Sequence, residues 1–196
     1  MTLQDLPARI RQDYECYEWK HAVAVLKNDF PAEWQDILDV LSKFRLCQSY
    51  VTVGGGNISL ISRWFNAGFS GHGWVEKSWA TEIVVDGHGT PSPTHKVDCY
   101  KNHVALEIEW SNKDPFYDRD LNNFRLLFDL RVISVGVIIT KADELATTFR
   151  RLGLYAKYGA STTWMNKLKP RIDGGGGGGC PILVFGIQNA LFDPNC

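Results

Sequence analysis

The chain has 196 residues, of which 44% are apolar, 12% aromatic and 22% charged, enough to bury a core of ordinary size and far from the composition of a disordered segment. Twenty-one Lys and Arg against 22 Asp and Glu leave a formal charge of −1, which excludes a protein that coats nucleic acid by bulk charge; any polyanion site must be local. No run approaches ~18 apolar residues and the first residues lack the basic-then-apolar order of a signal peptide, so no membrane span is predicted and a cytoplasmic protein is expected.

Five cysteines, Cys16, Cys47, Cys99, Cys180 and Cys196, are odd in number and show no CxxC or Cys/His spacing, which predicts reduced, mostly buried thiols rather than disulfides or zinc. From Pro31 to Phe44 the apolar residues Trp34, Ile37, Leu38, Leu41 and Phe44 recur at helical steps, with Pro31 suited to a first turn. Gly54-Gly55-Gly56-Asn57 breaks the chain. It has neither the GK[ST] ending of a phosphate loop nor the GxGxxG of a dinucleotide fold, so it reads as the entry to a second helix, from Ile58 through Phe65 to Gly71 or Gly73.

Thr81–Asp86 reads as a strand followed by a turn-rich loop from Gly87 to His95. Lys96–Tyr100 and His103–Ser111 read as a hairpin turning at Lys101-Asn102. A helix around Leu121–Leu130 precedes the β-branched run Val132–Ile139, which has the character of a central strand buried on both faces. Helical sequence from Asp143 to Arg151, six glycines from Gly174 to Gly179 that read as a flexible connector, and a buried strand at Pro181–Ile187 complete the chain. Strands interleaved with helices, with no repeat or linker, predict a single α/β domain over residues 1–196, a mixed central sheet flanked by helices.

In His103–Ser111, Ala105, Glu107, Glu109 and Ser111 share one face of the strand. A two-residue turn at Lys101-Asn102 pairs Asp98 with Ala105 and sets Asp98 diagonal to Glu107 on that face. Three carboxylates so placed repel unless a cation or protons neutralise them, an arrangement that suits Mg²⁺ and the hydrolysis of a phosphodiester. Alternating glutamates could equally form an ordinary solvated face. The order Asp-x8-Glu-x-Glu departs from the general nuclease pattern, in which Lys stands where this chain has Glu109.

Lys96-Val97-Asp98 with Val104-Ala105-Leu106-Glu107-Ile108-Glu109-Trp110-Ser111-Asn112 resembles the core of type II restriction endonucleases of the BglII/BstYI family, related in fold to BamHI. Gly73-Trp74 with Glu76-Lys77, Val135-Gly136-Val137 with Lys141–Leu145, and Pro181–Ile187 resemble further family segments, and together they cover most of residues 14–187. The resemblance implies a restriction-endonuclease-like core and a homodimer that cuts double-stranded DNA at a short palindrome. It also implies one or two Mg²⁺ per active site, a GATC-type core to the site, and a companion DNA methyltransferase.

Carried over by position, Asp98 is a bridging metal ligand, Glu107 a ligand that also orients water, and Glu109 a ligand or general base. Ile108 between them offers its carbonyl to the metal. An additional acid is expected upstream, with Glu76 the candidate and Glu82 its rival; either could be a plain surface charge. Ser111 and Asn112 fall where the family touches base edges, and Asn suits adenine. Lys113, Arg119, Asn122 and Arg125 follow, in a segment whose Asp114, Asp118 and Asp120 could be merely capping and solvated. Residues 141–171 carry seven basic against two acidic side chains and form the expected DNA-facing region, with Ser161, Thr162 and Thr163 toward bases and Lys167 and Arg171 toward phosphates. His95 and His103 flank the acids but have no counterpart in the pattern. Two rival readings are a DNA-binding protein that has lost catalysis and a metal-dependent hydrolase of small phosphates.

Overall fold

The computed structural model describes residues 2–53, 58–92, 94–159 and 161–196. The expected glycine break at Gly54–Asn57 therefore lies outside the described residues, as does Pro93 in the loop before His95. In chain order the strands are β1 (Tyr14–Trp19), β2 (Leu46–Cys47), β3 (Val75–Lys77), β4 (Glu82–Val85), β5 (His88–Pro91), β6 (Val97–Lys101), β7 (Val104–Ile108), β8 (Val135–Lys141), β9 (Ile182–Ile187) and β10 (Phe192–Asp193). The helices are α1 (Ala8–Asp13), α2 (Ala22–Asp29), α3 (Pro31–Lys43), α4 (Gln48–Thr52), α5 (Leu60–Gly71), α6 (Phe116–Asp129), α7 (Leu145–Arg151), α8 (Tyr155–Tyr158) and α9 (Met165–Asp173).

Six strands form one mixed sheet in the order β1-β9-β8-β7-β6-β3. The β7, β8 and β9 strands run parallel, and β1, β6 and β3 join antiparallel. All seven residues of β8 are buried, as the unbroken β-branched run predicts for a strand covered on both faces. On one face Val104, Leu106 and Ile108 of β7 and Val135, Val137 and Ile139 of β8 pack with α1, α2, α3, α5 and α7. On the other, Ala105, Ile138, Ile182 and Val184 meet Tyr117, Leu121, Phe124 and Leu127 of α6 and Leu168 and Ile172 of α9. The strand period of two thus separates two cores, and the even α6 spacing of three and four lays one helical stripe on the second.

Several expectations need correction. The hairpin turns at Asn102-His103, both with positive φ (41° and 64°), so Lys101 pairs with Val104 and Tyr100 with Ala105. Two consecutive left-handed residues make the turn whose twist matches the strands it joins, and Asn is among the residues that tolerate it. The segment after Asp86 is not all loop: Asp86-Gly87 closes a second hairpin, β4 with β5, separate from the main sheet. Finally, Cys47 and Cys196 form a disulfide, while Cys16, Cys99 and Cys180 are free thiols. The parallel pairing of β2 with β10 brings the two together across 149 residues of sequence, a proximity that no local spacing announces.

The glycine run also differs from a flexible connector. It leaves α9 through consecutive turns, with the Gly176 amide donating to the Arg171 carbonyl at 2.9 Å and the Gly178 amide to the Gly175 carbonyl at 2.9 Å. A Cβ on Gly178, whose φ is +58°, would stand 2.5 Å from Cγ of Arg125, so the run is a close-packed turn against α6.

Candidate active site

The corrected turn changes the geometry of the acids. Continuing the observed register, Asp98 stands directly opposite Glu107 rather than diagonal to it. Each carboxylate accepts an amide of the facing strand: Asp98 Oδ2 from Ile108 N at 3.0 Å and Glu107 Oε2 from Asp98 N at 3.3 Å. Side chains thus take the place of ladder bonds at the open end of the β6–β7 pair. Ile108 lies between the acids with its side chain in the opposite core, and its amide is committed to Asp98.

Glu109 follows, its main chain still held to the sheet by a bond from its amide to the Ile139 carbonyl at 2.9 Å. Its Oε1 accepts the side-chain amide of Asn112 at 2.9 Å, so the residue expected to read bases rests on a residue expected to act in catalysis. Over this face α6 places Asp120, which the sequence reading left as a capping or solvated residue. Its carboxylate accepts both Nε and Nη2 of Arg119, at 3.0 and 2.8 Å, and the same Nη2 is 3.7 Å from Glu109 Oε1. Glu107, Glu109 and Asp120 are 2%, 1% and 0% exposed, which rules out a solvated acidic face.

Burial is the largest cause that pushes all four carboxyl groups above the ordinary range. Mutual repulsion adds to it: the Asp120 charge raises Asp98, Glu107 and Glu109, and Glu109 reaches about 9. Glu107 Oε1, Glu109 Oε2 and Asp120 Oδ2 are buried without a hydrogen-bond partner. Orphaned anionic oxygens are costly, and a hard cation satisfies them, so the donor set fits Mg²⁺. Among the described residues no group of three or more His, Cys, Asp or Glu side chains is already arranged to hold a metal ion.

Glu76 on β3 is exposed and paired with Lys96 Nζ at 3.1 Å, yet its charge is one of those that raise Asp98. Its rival Glu82 stands on the exposed hairpin outside the main sheet. His95 stands beside the cluster, its imidazole lowered by desolvation and then by the Arg119 cation. His103 is in the hairpin turn at the other end of β7, its Nδ1 3.0 Å from the Val132 carbonyl.

The segments expected to face DNA come together. Thr163 N donates to the Asn112 carbonyl at 3.0 Å, Asp114 N to the Ser161 carbonyl at 3.1 Å, and Lys113 bridges Thr162, so residues 112–114 and 161–163 form a short two-stranded rib beside Glu109. Ser111, Lys113, Asn122 and Ser161 are exposed and Asn112 is half-buried. Thr162 and Thr163 are buried, their hydroxyls donating to the carbonyls of Tyr158, Gly159 and Glu109, so these two build the rib rather than present themselves to a ligand. Lys167 reaches Asp114 Oδ2 at 3.3 Å, and Arg171 reaches Asp118 Oδ1 at 2.9 Å, pinning α9 to the start of α6.

Two residues of the site escaped the sequence reading. Asp120 lies in phase with Tyr117, Leu121, Phe124 and Leu127; starting the helix at Leu121 hid that stripe, which places an acid at an inward position. Lys141, one of the basic side chains counted in the expected DNA-facing segment, instead ends β8 fully buried. Its Nζ donates to the Trp110 carbonyl, lies 3.5 Å from Thr163 Oγ1, and sits 5.2 and 5.1 Å from the Trp110 and Trp164 rings. It therefore ties the rib to the sheet.

The model of the family described as restriction endonuclease BglII/BglIII matches residues 14–187. No curated protein matches the chain. The match spans most of the length and takes in the hairpin, the helix over it and the rib, and the six-stranded mixed sheet flanked by helices agrees with a restriction-endonuclease-like fold. The chain belongs to the BglII/BglIII restriction endonuclease family and is thereby a type II site-specific deoxyribonuclease.

Proposed function

We propose that the whole chain, residues 1–196, acts as one Mg²⁺-dependent endonuclease domain. As a cytoplasmic homodimer it cuts both strands of a short palindrome with a GATC-type core, alongside a companion methyltransferase that protects the same site. A symmetric dimer presents two identical centres to two antiparallel strands, which lets a chain of this size cut a duplex. The observation that carries the reading is the set of buried carboxylates with unpartnered oxygens beside a rib that carries Asn112 and Ser161 and is preceded by the exposed Ser111. A protein that only bound DNA would gain nothing from acids that repel the backbone phosphates, and a hydrolase of small phosphates would have no use for the rib.

Asp98 and Glu107 hold the cation, with the Ile108 carbonyl between them, and Glu76 is the nearby acid that adds charge at the open edge. When bound, Mg²⁺ supplies Lewis-acid polarisation of the scissile phosphate and compensates its charge. Glu109 presents its unpartnered Oε2 to the same centre, where it would serve as a further oxygen ligand to the cation. Arg119 and Lys113 meet backbone phosphates, and Asn122 lies on the exposed side of α6 to do the same; Lys167 and Arg171 hold the platform from which the rib reads bases. Thr162 and Thr163 act through the shape of that rib.

The test is digestion of a plasmid library with Mg²⁺ or with EDTA, all ends sequenced, with Glu107→Gln in parallel. Discrete ends sharing one palindrome, absent with EDTA and reduced at least about a thousandfold in the variant, are expected. Metal-independent cutting, or ends without a common sequence, would overturn the reading.

A further inference from the structure

We propose that Asp120 is a fourth carboxylate of the catalytic centre and contributes an oxygen to a divalent cation shared with Glu109. The inference rests on the endonuclease reading of that centre. Asp120 is the fifth residue of α6, too far in to cap the helix, and it lies on the stripe that packs on the sheet, where an apolar residue would serve the fold better. Its pairing with the part-exposed guanidinium of Arg119, its neighbour in sequence, uses Oδ1 and leaves Oδ2 buried with no partner. A bond to an adjacent part-exposed arginine adds little stability and does not account for drawing the whole carboxylate inside.

What lies around that oxygen does account for it. The Asp120 and Glu109 carboxyls are within hydrogen-bonding reach of each other, and each keeps one unpartnered oxygen, as does Glu107. A cationic group already bridges two of them: Arg119 Nη2 is 2.8 Å from Asp120 Oδ1 and 3.7 Å from Glu109 Oε1. This place calls for positive charge, and the oxygens that Arg119 and Asn112 leave unused suit a hard ion with oxygen ligands. Arg119 also stacks on the Phe116 ring, 4.3 Å from its centroid, on a long side chain that can turn outward to a phosphate.

The experiment uses Mn²⁺ as the probe: free Mn²⁺ is followed by its paramagnetic resonance, and thermal unfolding is recorded with and without the ion, for the unaltered chain, Asp120→Asn and Glu107→Gln. Asp120→Asn is expected to weaken Mn²⁺ binding at least about tenfold or to remove one ion per chain, while Tm without metal stays the same or rises. A purely structural Asp120 moves the readouts the other way, with Tm falling and Mn²⁺ binding unchanged. Full Mn²⁺ binding by Asp120→Asn, with loss in Glu107→Gln, overturns the role of Asp120 and leaves the centre standing. Full binding by Glu107→Gln, or none by the unaltered chain, overturns the centre and the inference together. Asp120→Ala, which removes both oxygens, is read alongside, so a folding failure in one variant leaves the other to decide.

Discussion

At Lys141, burial among Trp110, Trp164 and the rib draws the ammonium down from 10.5 to about 7, against the opposing pull of Glu109. Between those values the unfolded chain binds more protons than the folded one, so this residue makes stability rise with pH from about 7 to 10.5; below 7 its full cost is present, and above 10.5 none of it. Lys141→Met should abolish that increment in Tm-against-pH curves taken beside the unaltered chain. Lys141→Arg should be less stable at every pH, since a guanidinium cannot shed its proton in the same enclosure. A second prediction concerns Asn112, whose amide holds Glu109 Oε1. The second N–H and the oxygen of that amide stay available to a base, so Asn112→Ala should loosen sequence preference by about 1–3 kcal/mol at one base pair while cutting continues at related sites, measured by sequencing the ends. That Asp98, Glu107 and Glu109 share one face of the hairpin was legible in the sequence because strand parity and cross-strand pairing put alternate residues on one side. Asp120 and Lys141 were not, because an acid in a helix and a lysine after an apolar run look like surface residues until the elements over them are placed.

Elements decide how near those residues come. Gly136 on β8 has no side chain where a Cβ would stand 2.4 Å from the Phe124 ring, so α6 lies close over the sheet, and the Tyr117 hydroxyl fastens its start to Thr140 at 2.6 Å. Gly136→Ala should cost about 1–3 kcal/mol from overpacking and should lift Asp120 away from Glu109. Thermal unfolding shows the first effect, and a weaker response of Tm to Mn²⁺ shows the second. The helix over residues 31–44 and the central strand were readable from periodicity. The two hairpin turns were read less well, because the choice between Lys101-Asn102 and Asn102-His103 rests on which pair can take positive φ, and a shift of one turn residue moves the register by two.

For the whole molecule, the sheet divides a larger core from a smaller one that lies against the candidate acids. The larger core, against α1, α2, α3, α5 and α7, also takes in Trp110, Tyr158 and Trp164 beside the rib, whereas the α6–α9 side lies against the acids. Substitutions in α3 or α5 should therefore lower Tm with little change in the cutting sequence, and substitutions in the rib should do the reverse. Among the described residues no helix is long and apolar enough to cross a membrane.

The sequence by itself determined the alternation of strands and helices, the buried central strand and the three acids on one face of a hairpin, because each of these is written in spacing along the chain, and its quoted segments carried the family resemblance. Only the tertiary structure decided that Asp98 faces Glu107 directly, that Asp120 and Lys141 are buried beside the candidate acids and the rib, that Thr162 and Thr163 are walls, that six glycines form a packed turn, and that Cys47 meets Cys196. Each of these depends on which distant segments share a surface. Proximity of that kind is fixed by the sum of the packing, and no local pattern records it.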